Sequence, residues 1–558
     1  MSGRHLVTFL PQGITVPVSD GETVLDAARK AEVPVNSICG GKGRCGKCFV
    51  KILAGKAGEP TSLEQKVLSA EEVMNGVRLA CRTRVQQGME ILMNCEPQND
   101  GLMHKEIDNA FFADLKTRGK ERYDGILSIE TEPTASESYG LAVDLGTTTV
   151  AVYLTDLNSG RILDSCATLN KQSPFGADVI SRISYAREHS EGLDALQKKA
   201  ADTVNELLDD LSANNVLARE NISSVIMVGN PTMMHLFLGI NPQGLAEFPF
   251  TPAYSNSVSL GAVEAGLKLT SQAKLEILPL VSAYVGADLV AAALAAGLDD
   301  PGPPRLLLDL GTNGEMALAS NGRICACSTA AGPALEGGGI TFGRRAAHGS
   351  ISAVTFTDDV VLSIIGPHPA QGICGSGLVD AVAQMLDNGM IGRNGRLKDV
   401  HDLPADLPYA IRRRLSPGKK GRIFRLTPEI YLTQQDIIQL QLAKAAMRAG
   451  VEILMAEAGI GFGDLEEILL AGAFGANLKP ESLITLGLIP PVPKEKVRPM
   501  GNAAGKGALL YLLSEEHHQK ALKLAQDIHY LELSLEPEFQ KRFMEGMRFG
   551  ISQQVRIS

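Results

Sequence analysis

Hydrophobic and polar positions divide the chain into three stretches of different character. In the first, His5–Leu10 and Ile14–Val18 read as two short strands around a Pro-Gln-Gly turn. From Glu22 to Lys30 the spacing turns helical, with Val24, Leu25 and Ala28 on one face and Asp20 placed to cap the start. A glycine-rich loop from Ser37 to Lys47 leads into three more apparent strands, Cys48–Leu53, Arg78–Val85 and Met89–Met93. Residues 1–96 are therefore expected to form one small mixed unit. Over residues 97–138 apolar runs are brief, and Glu130–Ser138 has the composition of a tether, so a flexible linker is expected, with Phe111, Phe112 and Leu115 in one short helix. At Gly140 a buried strand begins abruptly. Strands at Leu141–Val152, Ser224–Val228, Arg305–Leu310 and Glu467–Leu470 then alternate with helical stretches at Asp178–Glu188, Leu193–Leu211 and Asp436–Ala458. That alternation predicts an α/β architecture.

Length and charge narrow the partners. A chain of 558 residues exceeds one ordinary core, and its 44% hydrophobic and 21% charged content is globular. A net charge of −10 gives no overall footprint for nucleic acid or an anionic membrane, and leaves a protein partner open. The N-terminal apolar stretch is too short for a secretory signal. The longest small-apolar tract, Pro279–Leu298, is interrupted by Asp288 and dominated by alanine and glycine, unlike a membrane span. A cytoplasmic protein is expected.

Nine cysteines do not suggest a disulfide framework here, because four crowd near the start. Cys39, Cys45, Cys48 and Cys81 give C-x5-C-x2-C-x32-C, and four thiolates are what a [2Fe–2S] cluster needs. Four glycines between Cys39 and Cys48 let the backbone curl around an inorganic core, while Cys81 is expected on a strand. Zinc is the alternative, but it usually takes two C-x2-C knuckles, and this pattern has one knuckle and two isolated cysteines. The spacing resembles the adrenodoxin-like ferredoxins, which implies a β-grasp (α+β) domain. Cys95, Cys166, Cys325, Cys327 and Cys374 read as ordinary thiols.

Two segments resemble each other. Leu141–Val150 is an apolar strand with Asp144, Gly146 and the hydroxyls of Thr147, Thr148 and Thr149; Arg305–Glu315 repeats the idea with Asp309, Gly311, Thr312, Asn313 and Gly314. Each suits a hairpin turn offering N–H and O–H donors to phosphate oxygens, its Asp facing Mg²⁺ or a water. Val285–Gly297 is a small-residue helix, Leu469–Gly475 a strand running into a glycine turn, and Gly501–Ala508 the start of another small-residue helix. In order, these resemble the phosphate-1, connect-1, phosphate-2, adenosine and connect-2 elements of the actin, sugar-kinase and heat-shock-chaperone ATPases. The resemblance implies a two-lobed domain, lobe I at 139–300 and lobe II at 301–558, with C-terminal elements returning to lobe I. It also implies bound ATP and Mg²⁺, Asp144 and Asp309 as catalytic carboxylates, and adenosine contacts at Gly472, Ala473, Phe474 and Gly475. Gly337 and Gly338, in Gly332–Gly339, are read as nucleotide contacts or a mobile loop. Gly375–Gly377 could open a helix at an anion position or serve packing, and His235 reads as a satisfied core histidine. There is no Gly-x4-Gly-Lys-Ser/Thr loop, serine-nucleophile elbow or zincin helix.

A ferredoxin-type cysteine loop ahead of this ATPase pattern resembles the reductive activators of corrinoid proteins. The resemblance also rests on Gly176–Arg182, Gly229–His235 and the Phe-rich ending Glu538–Phe543. It implies ATP-dependent return of an oxidised Co(II) corrinoid to Co(I). The partners implied are a corrinoid protein of a methyltransferase system and a low-potential electron donor, with a homodimer also compatible. A domain that some relatives carry between linker and ATPase is expected to be missing or reduced. Two other readings stay open, a small-molecule kinase with a redox-sensing cluster and a redox-gated module that grips a protein partner.

Overall fold

The structure is a computed structural model, and it describes residues 4–33, 35, 37, 39–44, 46–93, 138–215, 219–311, 313–418, 421–475 and 478–550, with only the backbone of 215, 473 and 474. Cys45, Cys95, Thr312, the side chains of Ala473 and Phe474, and the expected linker up to residue 137 lie outside the described residues.

The first unit is a five-stranded sheet. Its strands are β1 (Arg4–Leu10), β2 (Ile14–Ser19), β3 (Phe49–Ala54), β4 (Val77–Leu79) and β5 (Met89–Met93), in the order β2-β1-β5-β3-β4. The helix Val24–Lys30 buries Val24, Leu25, Ala27 and Ala28 against that sheet. Its cap is Thr23, not Asp20: Thr23 and Asp26 form a reciprocal capping box, which meets two orphan amides at once. Asp20 instead faces His5 at 3.4 Å. The expected strand Arg78–Val85 ends at Leu79, because the amides of Arg82 and Thr83 both turn back onto the Leu79 carbonyl. Cys81 therefore lies in a turn.

The second unit is built twice. Strands β6 (Tyr139–Leu145), β7 (Thr149–Asp156), β8 (Ile162–Leu169), β9 (Ile222–Val228), β10 (Val258–Gly261) and β11 (Lys274–Ile277) make a sheet of order β10-β11-β9-β6-β7-β8. Further along come β12 (Arg305–Leu310), β13 (Gly314–Ser320) and β14 (Arg323–Thr329), then two small three-stranded sheets. These hold β15 (Ser350–Phe356), β16 (Val360–Ile364) and β17 (Gly372–Ile373), and β18 (Leu415–Gly418), β19 (Gly421–Arg425) and β20 (Tyr431–Thr433). With β21 (Glu467–Ala471), β22 (Val497–Gly501) and β23 (Ile528–Tyr530), the second large sheet runs β22-β21-β12-β13-β14-β23. In both sheets a hairpin lies beside a parallel strand: β6 pairs antiparallel with β7 and parallel with β9, and β12 likewise with β13 and β21. The apparent strand Leu141–Val152 is thus a hairpin folded at Gly146, whose N–H donates to the Thr149 carbonyl at 3.0 Å.

Small residues let the halves meet. The helices Ala287–Ala295 and Ala503–Leu513 pack on each other between the two sheets, and one core holds Leu141 and Val228 together with Leu307 and Leu469. A Cβ on Gly507 would fall 1.9 Å from the Ala291 carbonyl oxygen, so only glycine permits this approach. Among the described residues no helix is long and apolar enough to cross a membrane.

Candidate functional site

Three of the four expected cluster ligands are described. Cys48 immediately precedes β3 and Cys81 follows β4 by one residue, and the Ala80 N–H binds the Cys48 carbonyl at 2.8 Å. Their sulfurs lie 3.3 Å apart, well beyond the ~2.05 Å of a disulfide bond. Cys39 is half-buried, and Cys48 and Cys81 are buried. The hydrogen bond between the two sulfurs holds the Cys48 thiol down and, with burial, pushes Cys81 up. Around them Gly40, Gly41, Gly43 and Gly46 all take positive φ, which is what bends the loop into a cradle. The Arg82 guanidinium lies where a Gly43 Cβ would be, donating to the Gly43 carbonyl at 3.2 Å. Sulfur donors on a curled glycine loop fit an iron–sulfur cluster.

The second centre lies where the two hairpins face each other. Asp144 ends the apolar run of β6, Asp309 that of β12, and both are half-buried. Burial and the charge of Asp309 raise Asp144 to about 7, against a hydrogen bond from Asn502. Burial and Glu336 raise Asp309 to about 6. Asp288, at the head of the helix Ala287–Ala295, is raised to about 8 by burial and then by Asp144 and Asp309. Glu315 is pushed well above the usual range by burial and the charges of Asp288 and Asp309. Carboxylates forced together out of water raise one another's pKa, and such a group could hold a divalent cation.

Polar groups surround these acids from both lobes. Asn230 Nδ2 donates to Thr147 Oγ1 at 2.8 Å, and Thr148 Oγ1 donates across the cleft to Glu336 Oε2 at 3.1 Å. A Cβ on Gly472 would meet Asp309 Oδ1 at 2.7 Å, so the turn after β21 passes close over that carboxylate. Gly337, at φ +79°, ends the short turn Pro333–Glu336 with its Cα against the Arg344 carbonyl. Gly377 backs onto the Ile351 carbonyl within the helix Gly375–Asp387, which accounts for that glycine by packing. Gly314 sits against Met447, and Gly311 opens the second turn. His235 is buried, with Nδ1 donating to the Pro231 carbonyl at 2.7 Å and Nε2 accepting from the Ala253 N–H at 3.0 Å.

Sequence reasoning passed over Asp288, Glu315, Glu336 and Asn502 as site residues. Asp288 carried a signal, since a lone acid inside a small-apolar helix is costly unless it faces something. Asn502 heads its helix and caps it at Gly505, which reads from sequence as an ordinary N-cap.

Over 582 aligned residues the chain is 33% identical to the corrinoid activation enzyme RamQ of Eubacterium limosum, covering 96% of this chain and 97% of that one. The chain belongs to the corrinoid activation enzymes. A reductase of a Co(II) methylated-amine-specific corrinoid protein from Methanosarcina barkeri is 27% identical over 70% of this chain and 73% of its own length. The solved structure of a reductive activator for a corrinoid, iron–sulfur protein matches with a TM-score of 0.68 at 29% identity, over 98% of both chains. Family models place a 2Fe-2S iron–sulfur cluster binding domain at residues 7–86, the RACo middle region at 139–301 and the C-terminal domain of RACo, the ASKHA domain, at 304–556. The fold class is therefore a ferredoxin domain ahead of an actin-like α/β domain.

Proposed function

We propose that this corrinoid activation enzyme returns Co(II) in a partner corrinoid protein to Co(I), one electron per cycle, in a reaction that requires Mg-ATP. The observation that carries this reading is the presence, in one chain with end-to-end relatives named for corrinoid activation, of cysteines in a glycine cradle and a cleft of carboxylates that raise one another's pKa. Cys39, Cys45, Cys48 and Cys81 would hold the [2Fe–2S] cluster, which when bound supplies a one-electron carrier.

Asp144 and Asp309 are assigned to Mg²⁺ and the attacking water, with Asp288 and Glu315 holding waters around the ion. The turns Gly146–Thr149 and Gly311–Gly314 would offer amides and hydroxyls to the phosphates, and Gly472–Gly475 would approach the adenosine. The physical need for nucleotide is an uphill electron. Comparable clusters sit near about −400 mV, and each ~59 mV of unfavourable gap costs about tenfold in equilibrium for one electron. Nucleotide helps only by favouring a conformation or complex in which the acceptor is easier to reduce. Two lobes that touch through Thr148 and Glu336 make a suitable closing element.

Asp309→Asn tests the cleft. It should remove most ATP turnover in the presence of a Co(II) corrinoid protein while leaving the visible spectrum of the cluster unchanged. Unaltered turnover in both Asp144→Asn and Asp309→Asn would place the nucleotide elsewhere.

A further inference from the structure

The cysteine loop does not face open solvent on every side. Gly40, next to Cys39, lies against lobe I: a Cβ there would be 3.3 Å from the Phe175 carbonyl oxygen and 3.5 Å from Ser181 Cβ. Arg29, on the helix Val24–Lys30, ties the two together. Its Nη2 donates to the Gly40 carbonyl at 2.8 Å, its Nε to the Pro174 carbonyl at 3.0 Å, and its side chain is 9% exposed. The same guanidinium sits 5.0 Å from the Tyr185 ring and 5.8 Å from the Phe175 ring, two rings that meet edge to face. Two ion pairs flank this pin, Lys199 with Glu32 and Lys42 with Glu188 at 3.3 Å.

The lobe I side of that contact is the back of the first phosphate turn. Arg182 is wholly buried, and donates to the carbonyls of Thr147 and Gly176 and to Gln172 Oε1. Asn170 Nδ2 donates to the Gly146 carbonyl at 2.9 Å, and the Ser173 and Phe175 amides bind back to Asn170 and Gln172. One layer of side chains thus separates the Gly146–Thr148 turn from the carbonyls that hold Arg29. A buried guanidinium held by three oxygen acceptors does not tolerate small displacements of them.

We propose that Arg29 is the docking pin of the cluster domain, and that nucleotide at the Gly146–Thr149 turn releases it through Arg182 and the segment 170–185. Docked, the Cys39 loop is covered by lobe I on the Gly40 side. Released, it is free to meet a partner. Drawing the first phosphate turn toward the phosphates moves the Thr147 and Gly146 carbonyls that anchor Arg182 and Asn170, and the platform under Arg29 moves with them. The ligand of the turn is the nucleotide of the proposed function, and the inference rests on that reading only for its trigger. By linkage, the factor by which nucleotide weakens docking equals the factor by which losing the dock tightens nucleotide binding.

Small-angle scattering of the full, cluster-loaded protein tests this without any corrinoid. The wild-type radius of gyration should rise when Mg-AMPPNP is added. Arg29→Ala and Glu32→Lys should be enlarged without nucleotide and show no further rise, and Glu32→Lys with Lys199→Glu should recover the wild-type behaviour. The visible spectrum serves as the check that each variant is folded. Calorimetry should show Arg29→Ala binding Mg-AMPPNP more tightly than wild type, by fivefold or more at the scale of ordinary coupling. An Arg29→Ala radius equal to that of wild type overturns the pin. A wild-type radius that is unchanged or falls while calorimetry shows binding overturns the coupling. An absence of binding by calorimetry removes the nucleotide reading and the trigger with it, while the Arg29→Ala comparison still decides the pin.

Discussion

At the scale of single residues, the molecule concentrates its unusual chemistry where burial and function conflict. Cys48 and Cys81 sit in contact without a disulfide, and the loop that leads to Cys48 is shaped by positive-φ glycines that other residues replace only at a cost. Cys81→Ser is expected to abolish or badly distort the visible chromophore, whereas Cys374→Ser, a buried thiol of lobe II, should leave it intact. A full spectrum in Cys81→Ser would contradict the ligand assignment. The cysteine spacing was legible because metal ligation needs fixed residue types at short range. Asp144 and Asp309 were legible because each ends an apolar strand before a glycine. Glu336 was not: it reaches Thr148 across 188 positions of sequence, and nothing local marks a residue whose partner is brought by the fold.

At the scale of elements, close approach sets the requirements. Gly507 meets the backbone of Ala291, an atom that cannot swing aside. Gly507→Ala should therefore cost about 3 kcal/mol from overpacking, less roughly 1 kcal/mol regained in helix propensity. Denaturant unfolding reads this directly, and an unchanged midpoint would show that the two helices separate easily. The long helix Gln434–Ala458 gives a pH signature. Lys444 lies fully buried on it, donating to the Arg548 carbonyl beside the Phe549 ring, and burial, with Arg448 nearby, lowers its pKa to about 7 from 10.5. Between those values the unfolded chain holds a proton that the folded chain has lost. Stability relative to Lys444→Met should therefore rise with pH through this window, at up to about 1.4 kcal/mol per pH unit. Parallel stability profiles for the two proteins would rule this out. The helix itself was plain from its apolar spacing; the C-terminal segment that buries Lys444 was not, because only tertiary packing puts residues 548 and 549 there.

At the scale of the whole molecule, the duplicated hairpins at Asp144 and Asp309 announced two related sheets, and the interposed small-residue helices announced that they join. What the linear pattern withheld was the seating of the cysteine domain, since Arg29 reads as an ordinary helix-end cation until Pro174, Phe175 and Tyr185 are brought beside it. The arrangement makes physical sense of one chain holding both an electron site and a closing nucleotide site. On the proposed function, the two together would serve an electron transfer that does not run downhill unaided. The most direct measurement is anaerobic: chemically reduced, cluster-loaded protein is mixed with a Co(II) corrinoid protein, and the Co(I) absorbance is followed with and without Mg-ATP. Co(I) should accumulate only with Mg-ATP. Equal reduction without nucleotide, or ATP consumption with no Co(I), would contradict the account.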